Sequence, residues 1–202
     1  MKGENKMIKQ KELNMIQRGF VPVLENSSCD PRILETLSII HNYDPELFVH
    51  CINTEKYVRK TLDHLGKTDE ELCMAALIHD IGKIYVSYDV LHKPGKLNGI
   101  EKTAIDMHSY YGYLYIKEKC FSRNMCEYVL YHHGEKREWI TLVPVEDPKL
   151  CFNTDILRAC DIYDAMTSDR PYHKGTSKNV ALDILKKEGV CDEVITCFRE
   201  TL

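Results

Sequence analysis

The sequence predicts an all-α fold, on three observations. Apolar residues recur at helical spacing along most of the chain, helix start and stop signals punctuate it, and no stretch shows sustained strand alternation. Strand-like pieces at 84–86 and 140–145 are short and isolated.

The elements follow in order. Met7, Ile8, Leu13, Met15 and Ile16 mark a helix over 6–17, ended by Gly19 and Pro22. A second helix starts at Asp30-Pro31 and runs to about His41. Asp44-Pro45 is a stronger start, with Asp as N-cap and Pro in the first turn, and opens a long helix toward Leu65 that Gly66 stops. Thr68 and Glu71 form a capping box for a helix through Leu72, Ala75, Ala76 and Ile78 into His79 and Asp80, where Gly82 ends it. Lys93-Pro94-Gly95-Lys96 reads as a turn, and Asn98 caps a helix through Ile105. Further helices fit 109–119, 123–131, 155–167, 177–187 and 192–201. Between them, 134–153 carries Pro144, Pro148 and the only Trp, and reads as a long irregular loop of the kind that often serves function.

The chain has 202 residues, which suits one domain, and 27 Lys plus Arg against 31 Asp plus Glu. A formal net charge of −4 gives no basic surplus for binding a DNA or RNA backbone. The longest unbroken apolar run is the seven residues 72–78, whereas a membrane span needs about 20. The N-terminal sequence MKGENKMIKQKELNMIQRGF has no apolar stretch of the secretory kind, so a cytoplasmic location is expected. Nine cysteines include no Cys-x-x-Cys pair and read as reduced, small apolar residues rather than disulfides or thiolate zinc ligands.

Nine histidines are the other surplus. His79-Asp80 falls where a helix terminates, so the backbone is free to turn both side chains toward one metal site, although the dipeptide taken alone reads first as a structural pairing. Glu46 and His50 are four apart on one helix and share a face, which is ligand spacing and equally the spacing of a solvated Glu beside a half-buried His. His132-His133 ends another helix, as a ligand pair or as a cationic cap on the helix dipole. Asp161 and Asp164 lie in an otherwise apolar helix, where buried carboxylates require a partner, either a metal or an Arg or Lys.

The order His50, His79-Asp80, His108, His132-His133, Asp161 resembles the HD-domain metallophosphohydrolases, and within them the HD-GYP family of cyclic di-GMP phosphodiesterases. The strings LCMAALIHDIGK (72–83), KPGKL (93–97) and DIYDAMTSDRPY (161–172), with Gly112 four residues after His108, are similar to that family's motifs, and the resemblance covers about 44–202. It implies an HD helical bundle over 44–202 preceded by an N-terminal helical extension, 1–43; the first forty or so residues do not read as the receiver or sensory domain that family members often carry, so a free-standing module is expected. Whether the first helix docks on the domain or forms a homodimer contact stays open.

The resemblance further implies a metal ligand set of Glu46, His50, His79, Asp80, His108, His132, His133 and Asp161. Glu46 matches a carboxylate that some members use for a third ion. Two or three divalent transition ions follow, and a donor set of nitrogen and oxygen without thiolate suits iron or manganese. Asp80 is the bridging ligand and Lys83 stands near the scissile phosphate. Asp164 orients or deprotonates the reacting water, and Arg170 and Lys174 hold substrate phosphates. The remaining histidines, His41, His64, His92 and His173, read as ordinary ones. Ions ~3.5–4 Å apart would yield a bridging hydroxide that attacks phosphorus in line, and their charge would turn an acidic site into one that attracts phosphates.

Two departures from the family stand out. After His132-His133 the chain reads GEKREWITLVPVEDP, without the Gly-Tyr-Pro element, and His173 replaces the usual Arg after DRPY. Both fall where the family binds substrate or partners. The leading expectation is hydrolysis of a cyclic dinucleotide, cyclic di-GMP first. The others are an HD-type phosphohydrolase for another nucleotide or phosphodiester, and a catalytically silent metal-containing interaction module.

Overall fold

Three helices open on the same dipeptide, Asp-Pro. The Asp side chain accepts the orphan N–H groups of the first turn, and Pro supplies a preset φ at a position that has no N–H to satisfy. In the computed structural model, which describes residues 30–134, 136–137, 140–141, 147–169 and 174–201, these helices are α1 (Pro31–Tyr43), α2 (Pro45–His64) and α8 (Pro148–Thr167). The others are α3 (Glu70–Ile78), a 3₁₀ helix (Ile81–Tyr85), α4 (Tyr88–Leu91), α5 (Gly99–Asp106), α6 (His108–Glu118), α7 (Arg123–Tyr131), α9 (Lys178–Lys187) and α10 (Asp192–Thr201). Beyond the helices, the described residues contain only a two-residue antiparallel ladder, β1 (Lys136–Arg137) with β2 (Ile140–Thr141). The predicted all-α class holds. The helix predicted over 6–17 lies outside the described residues.

Helix α3 is central, and its composition dictates that place. Leu72, Ala75, Ala76 and Ile78 are fully buried, so past its acidic first turn the helix is apolar on every side. It packs on α2 and α7, while α2 and α7 both lie on α8, and α9 and α10 close the bundle over α8. Helix α6 lies across the 3₁₀ helix and α7. Ile33, Leu37 and Ile40 of α1 are fully buried in the same core, so the last part of the sequence assigned to the N-terminal extension packs with the domain. Each such side chain contributes roughly 1.5–3 kcal/mol of apolar burial.

Two boundaries differ from the sequence reading. Helix α8 begins at Pro148 rather than at 155, because Asp147 Oδ1 accepts from the N–H groups of Lys149 and Leu150, at 2.8 and 3.4 Å. The irregular stretch predicted for 134–153 therefore ends at Asp147. The cap of α3 is Asp69, not Thr68: its Oδ1 accepts from Leu72 N at 2.9 Å. Its Oδ2 is then free to accept from Tyr128 Oη at 3.1 Å and Asn153 Nδ2 at 2.9 Å, which ties α3 to α7 and α8. Asp69→Ala removes a cap and leaves two buried donors short of an acceptor, so a loss of about 2–3 kcal/mol is expected in denaturant unfolding, and Asp69→Asn should recover part of it.

Cys51, Cys73, Cys120, Cys126, Cys160, Cys191 and Cys197 are free thiols. No helix among the described residues is long and apolar enough to cross a membrane.

Candidate metal centre

Helix ends build the site. The last carbonyls of an α-helix lack intrahelical donors, and three histidines use them. His79 Nδ1 donates to Ala76 O at 2.8 Å, His108 Nδ1 to Ile105 O at 2.6 Å, and His132 Nδ1 to Val129 O at 2.6 Å. Each contact spans three residues at the end of α3, α5 or α7. A carbonyl can only accept, so Nδ1 carries the proton and Nε2 is turned toward the interior, the arrangement that orients a metal-ligating imidazole.

The fourth histidine is oriented by a carboxylate. His50, from the buried face of α2, donates from Nδ1 to Asp164 Oδ2 at 2.6 Å, and its Nε2 lies 2.9 Å from Asp161 Oδ1. Asp164 is itself held by Ser168 Oγ, which donates to its Oδ1 at 2.7 Å. Both oxygens of Asp164 are thus engaged behind His50. This is a carboxylate–histidine pair of the kind that sets the basicity of a metal ligand. Asp164→Asn is expected to weaken divalent-metal affinity about 10- to 100-fold in chelator competition, with the fold retained by circular dichroism.

Asp80 joins two groups of donors. Its Oδ2 lies 3.5 Å from His50 Nε2 and 3.4 Å from His79 Nε2, while its Oδ1 lies 3.2 Å from His108 Nε2 and 4.0 Å from His132 Nε2. His108 Nε2 is 3.2 Å from His132 Nε2 and 3.1 Å from His133 Nε2. Asp161 closes the other side, with Oδ1 3.7 Å from His79 Nε2 and Oδ2 3.7 Å from His133 Nδ1. Ligand atoms of His50, His79 and Asp80, and of His108, His132 and His133, fall within 4.8 Å of one another in each set.

The donor set fits divalent cations. His79 Nε2 and Asp80 Oδ1 are buried without a hydrogen-bond partner, an arrangement that costs free energy unless a cation completes it. Burial acts to raise the carboxyl of Asp80, but the charges of Lys83, His79 and His108 hold it well below the usual carboxylate range. Asp161 is likewise held well below that range, burial being overcome by the hydrogen bond from His50 and the charges of His133 and His50. His132 is pushed well down by burial and by the neighbouring His79 and His108, so it presents a neutral ring. In His50 and His79 burial is outweighed by the facing aspartates, and both are raised. A metal held there would take the place of those protons.

Lys83 reaches the same carboxylate, with Nζ 2.5 Å from Asp80 Oδ2. Glu46 lies outside the ligand groups: it is exposed on α2 and lines a cavity of about 460 Å³ together with His50, Lys83, Leu91, His92, Pro94 and Ile105. Lys174 is exposed on a segment that turns back over the end of α8, where Thr176 N donates to Met166 O at 2.7 Å. Arg170 and His173 lie outside the described residues. Sequence reasoning missed the two residues behind this cavity wall. His92 Nε2 donates to Asp44 Oδ2 at 2.9 Å, a contact across 48 positions that no local spacing signals.

Comparison with known proteins agrees with this architecture. The chain is 28% identical over 137 residues, 67% of its length, to a 3'3'-cGAMP-specific phosphodiesterase 1 of Vibrio cholerae. It is 33% identical over 106 residues, 52% of its length, to a cyclic di-GMP phosphodiesterase of Pseudomonas aeruginosa. These matches span only 32% and 26% of the two relatives' own lengths. The crystal structure of the L. monocytogenes phosphodiesterase PgpH HD domain in complex with cyclic-di-AMP superposes with a TM-score of 0.59 at 15% identity, over 83% of this chain and 92% of that one, which shows a shared fold. The HD domain family model matches residues 47–166, a span that runs from the turn before His50 to two residues beyond Asp164, and the chain therefore belongs to the HD domain family.

Proposed function

We propose that this chain is a metal-dependent phosphodiesterase that hydrolyses a cyclic dinucleotide, with cyclic di-GMP as its substrate. The observation that carries the reading is the position of Asp80, whose two oxygens each face a separate group of imidazole nitrogens beside the Lys83 ammonium. Names of the relatives, all phosphodiesterases of cyclic dinucleotides, support it.

His50, His79, Asp80 and Asp161 would hold one ion, and His108, His132, His133 and Asp80 a second, with iron or manganese suited to the donors. Glu46, exposed at the cavity, is the residue available for a third. Bound there, such ions supply Lewis acidity that acidifies water and neutralises charge developing on phosphoryl oxygens. The protein's own part is positional. Lys83 places a fixed positive charge at the phosphate, Asp164 and Ser168 lock the ring of His50, and Arg170 and Lys174 take the substrate's outer phosphate.

The test is hydrolysis of cyclic di-GMP followed by chromatography, with protein purified under reducing conditions and loaded with iron or manganese. Turnover that a chelator abolishes and metal restores is the expected result, and no turnover with either metal overturns the reading. A second reading, a different nucleotide or phosphodiester as substrate, is favoured by the missing Gly-Tyr-Pro element after His133. A panel of cyclic dinucleotides, cyclic mononucleotides and nucleotides separates the two. Fewer than two tightly bound ions per chain would instead favour a silent interaction module.

A further inference from the structure

The cavity beside the metal centre is lined by two chemically different groups of residues. His50 and Lys83 belong to or touch the metal-ligand groups, where a bound phosphate would meet charge. Leu91, His92, Pro94 and Ile105 add an apolar wall with one polar ring edge to the same lining. A volume of about 460 Å³ lies within the range of small-ligand sites.

That wall is built and fixed. His92 Nε2 donates to Asp44 Oδ2, and the other oxygen of Asp44 caps α2 by accepting from Glu46 N at 2.9 Å, one turn before His50. The ring of Tyr88 lies on that of His92, centroids 4.2 Å apart and planes 30° apart. Tyr43 Oη donates to Val86 O at 2.6 Å and its ring meets Tyr88 edge-on at 6.2 Å, which anchors the segment to α1. Lys93 Nζ is paired with both oxygens of Glu101 at 2.7 Å. These contacts tie His92 to the start of the helix that carries His50. Nothing in the phosphodiester chemistry asks for a preassembled aromatic and apolar surface there. A planar heterocycle attached to the phosphate through a sugar does.

Resting on the cyclic-dinucleotide reading above, we propose that the wall of Leu91, His92, Pro94 and Ile105 is a nucleobase subsite. It takes the purine of the nucleotide whose phosphate sits at the metals, with the base stacked on His92 and Pro94. Nε2 of His92 is committed to Asp44 and one ring face to Tyr88, which fixes the ring whose other face takes the base.

The test compares ligands that share phosphate and ribose and differ only in the base. Isothermal titration of the metal-loaded protein with GMP, AMP and ribose 5-phosphate reads the base alone. At least one purine nucleotide is expected to bind about tenfold or more tighter than ribose 5-phosphate, the scale of one stacked base. His92→Ala should bring that ratio below about threefold with ribose 5-phosphate affinity unchanged, and His92→Phe, which keeps a stacking face, should keep most of it. GMP and AMP binding no tighter than ribose 5-phosphate, including no binding by any of them, overturns the subsite, as does a ratio that survives His92→Ala. A loss of affinity for all three ligands in His92→Ala also overturns it, because it would mark damage to the start of α2. Cyclic di-GMP turnover is read in parallel. Turnover without base discrimination ends the subsite alone, and base discrimination without turnover ends the substrate assignment alone.

Discussion

Asp80→Asn is expected to reduce phosphodiester hydrolysis by on the order of 10³-fold, since a metal site supplies several kcal/mol of charge stabilisation and about 1.4 kcal/mol corresponds to tenfold in rate. The same variant should retain about one tightly held divalent ion per chain rather than two. The reason is geometric. Each oxygen of Asp80 faces a different group of nitrogens, Oδ2 toward His50 and His79 and Oδ1 toward His108 and His132. An amide keeps one oxygen and turns an N–H₂ donor toward the other group, which repels a cation. The charge that balances Lys83 also disappears, though the Lys83 side chain is 21% exposed. Metal content by plasma mass spectrometry and steady-state kinetics on one preparation check both halves, with circular dichroism as the control for folding. Full metal occupancy with activity within tenfold of wild type would mean that Asp80 does not serve both groups.

The ends of helices explain why much of this site is legible in sequence. His79 follows the apolar run 72–78, and His132 follows α7 in the same way, so an imidazole at the end of a helix marks the place where free carbonyls can orient it. Asp30-Pro31 and Asp44-Pro45 are read as helix starts for the same local reason, and both helices begin there. Asp147-Pro148 carries an identical signal and starts α8, yet its prolines read as loop residues because Pro144 and Trp139 precede them in a stretch without periodicity. Helix α4, four residues long, is too short to show a period at all. What sequence could not show is long-range: the two faces of Asp80, the engagement of both oxygens of Asp164, and the return of His92 to Asp44. These depend on how helices cross, and residue order carries no local trace of a crossing.

One crossing is set by a missing side chain, and Gly82→Ala is expected to destabilise the protein by about 3 kcal/mol or more, at the upper end for overpacking. A Cβ at residue 82 would stand 1.9 Å from His108 O, 2.5 Å from Gly112 N and 2.8 Å from His108 C. All three are backbone atoms, so no rotamer change relieves the overlap and the 3₁₀ helix must lift away from α6. Gly112 on the other side is nearly as closed, with Val129 Cγ1 3.0 Å from its would-be Cβ. The two glycines let the backbones touch, and the touch brings Asp80 Oδ1 within 3.2 Å of His108 Nε2. Lifting the 3₁₀ helix by about 1 Å would therefore separate the two groups of ligands and cost on the order of 10²-fold in hydrolysis, beyond the loss of stability. At about 2–4 °C per kcal/mol for a protein of this size, the melting temperature should fall by roughly 6–12 °C. Gly99→Ala is the matched control, because nothing lies within 4 Å of its Cβ at the start of α5, and it should leave melting and metal content unchanged. If Gly82→Ala melts like Gly99→Ala and binds two ions, the contact between the 3₁₀ helix and α6 does not hold the two halves of the centre together.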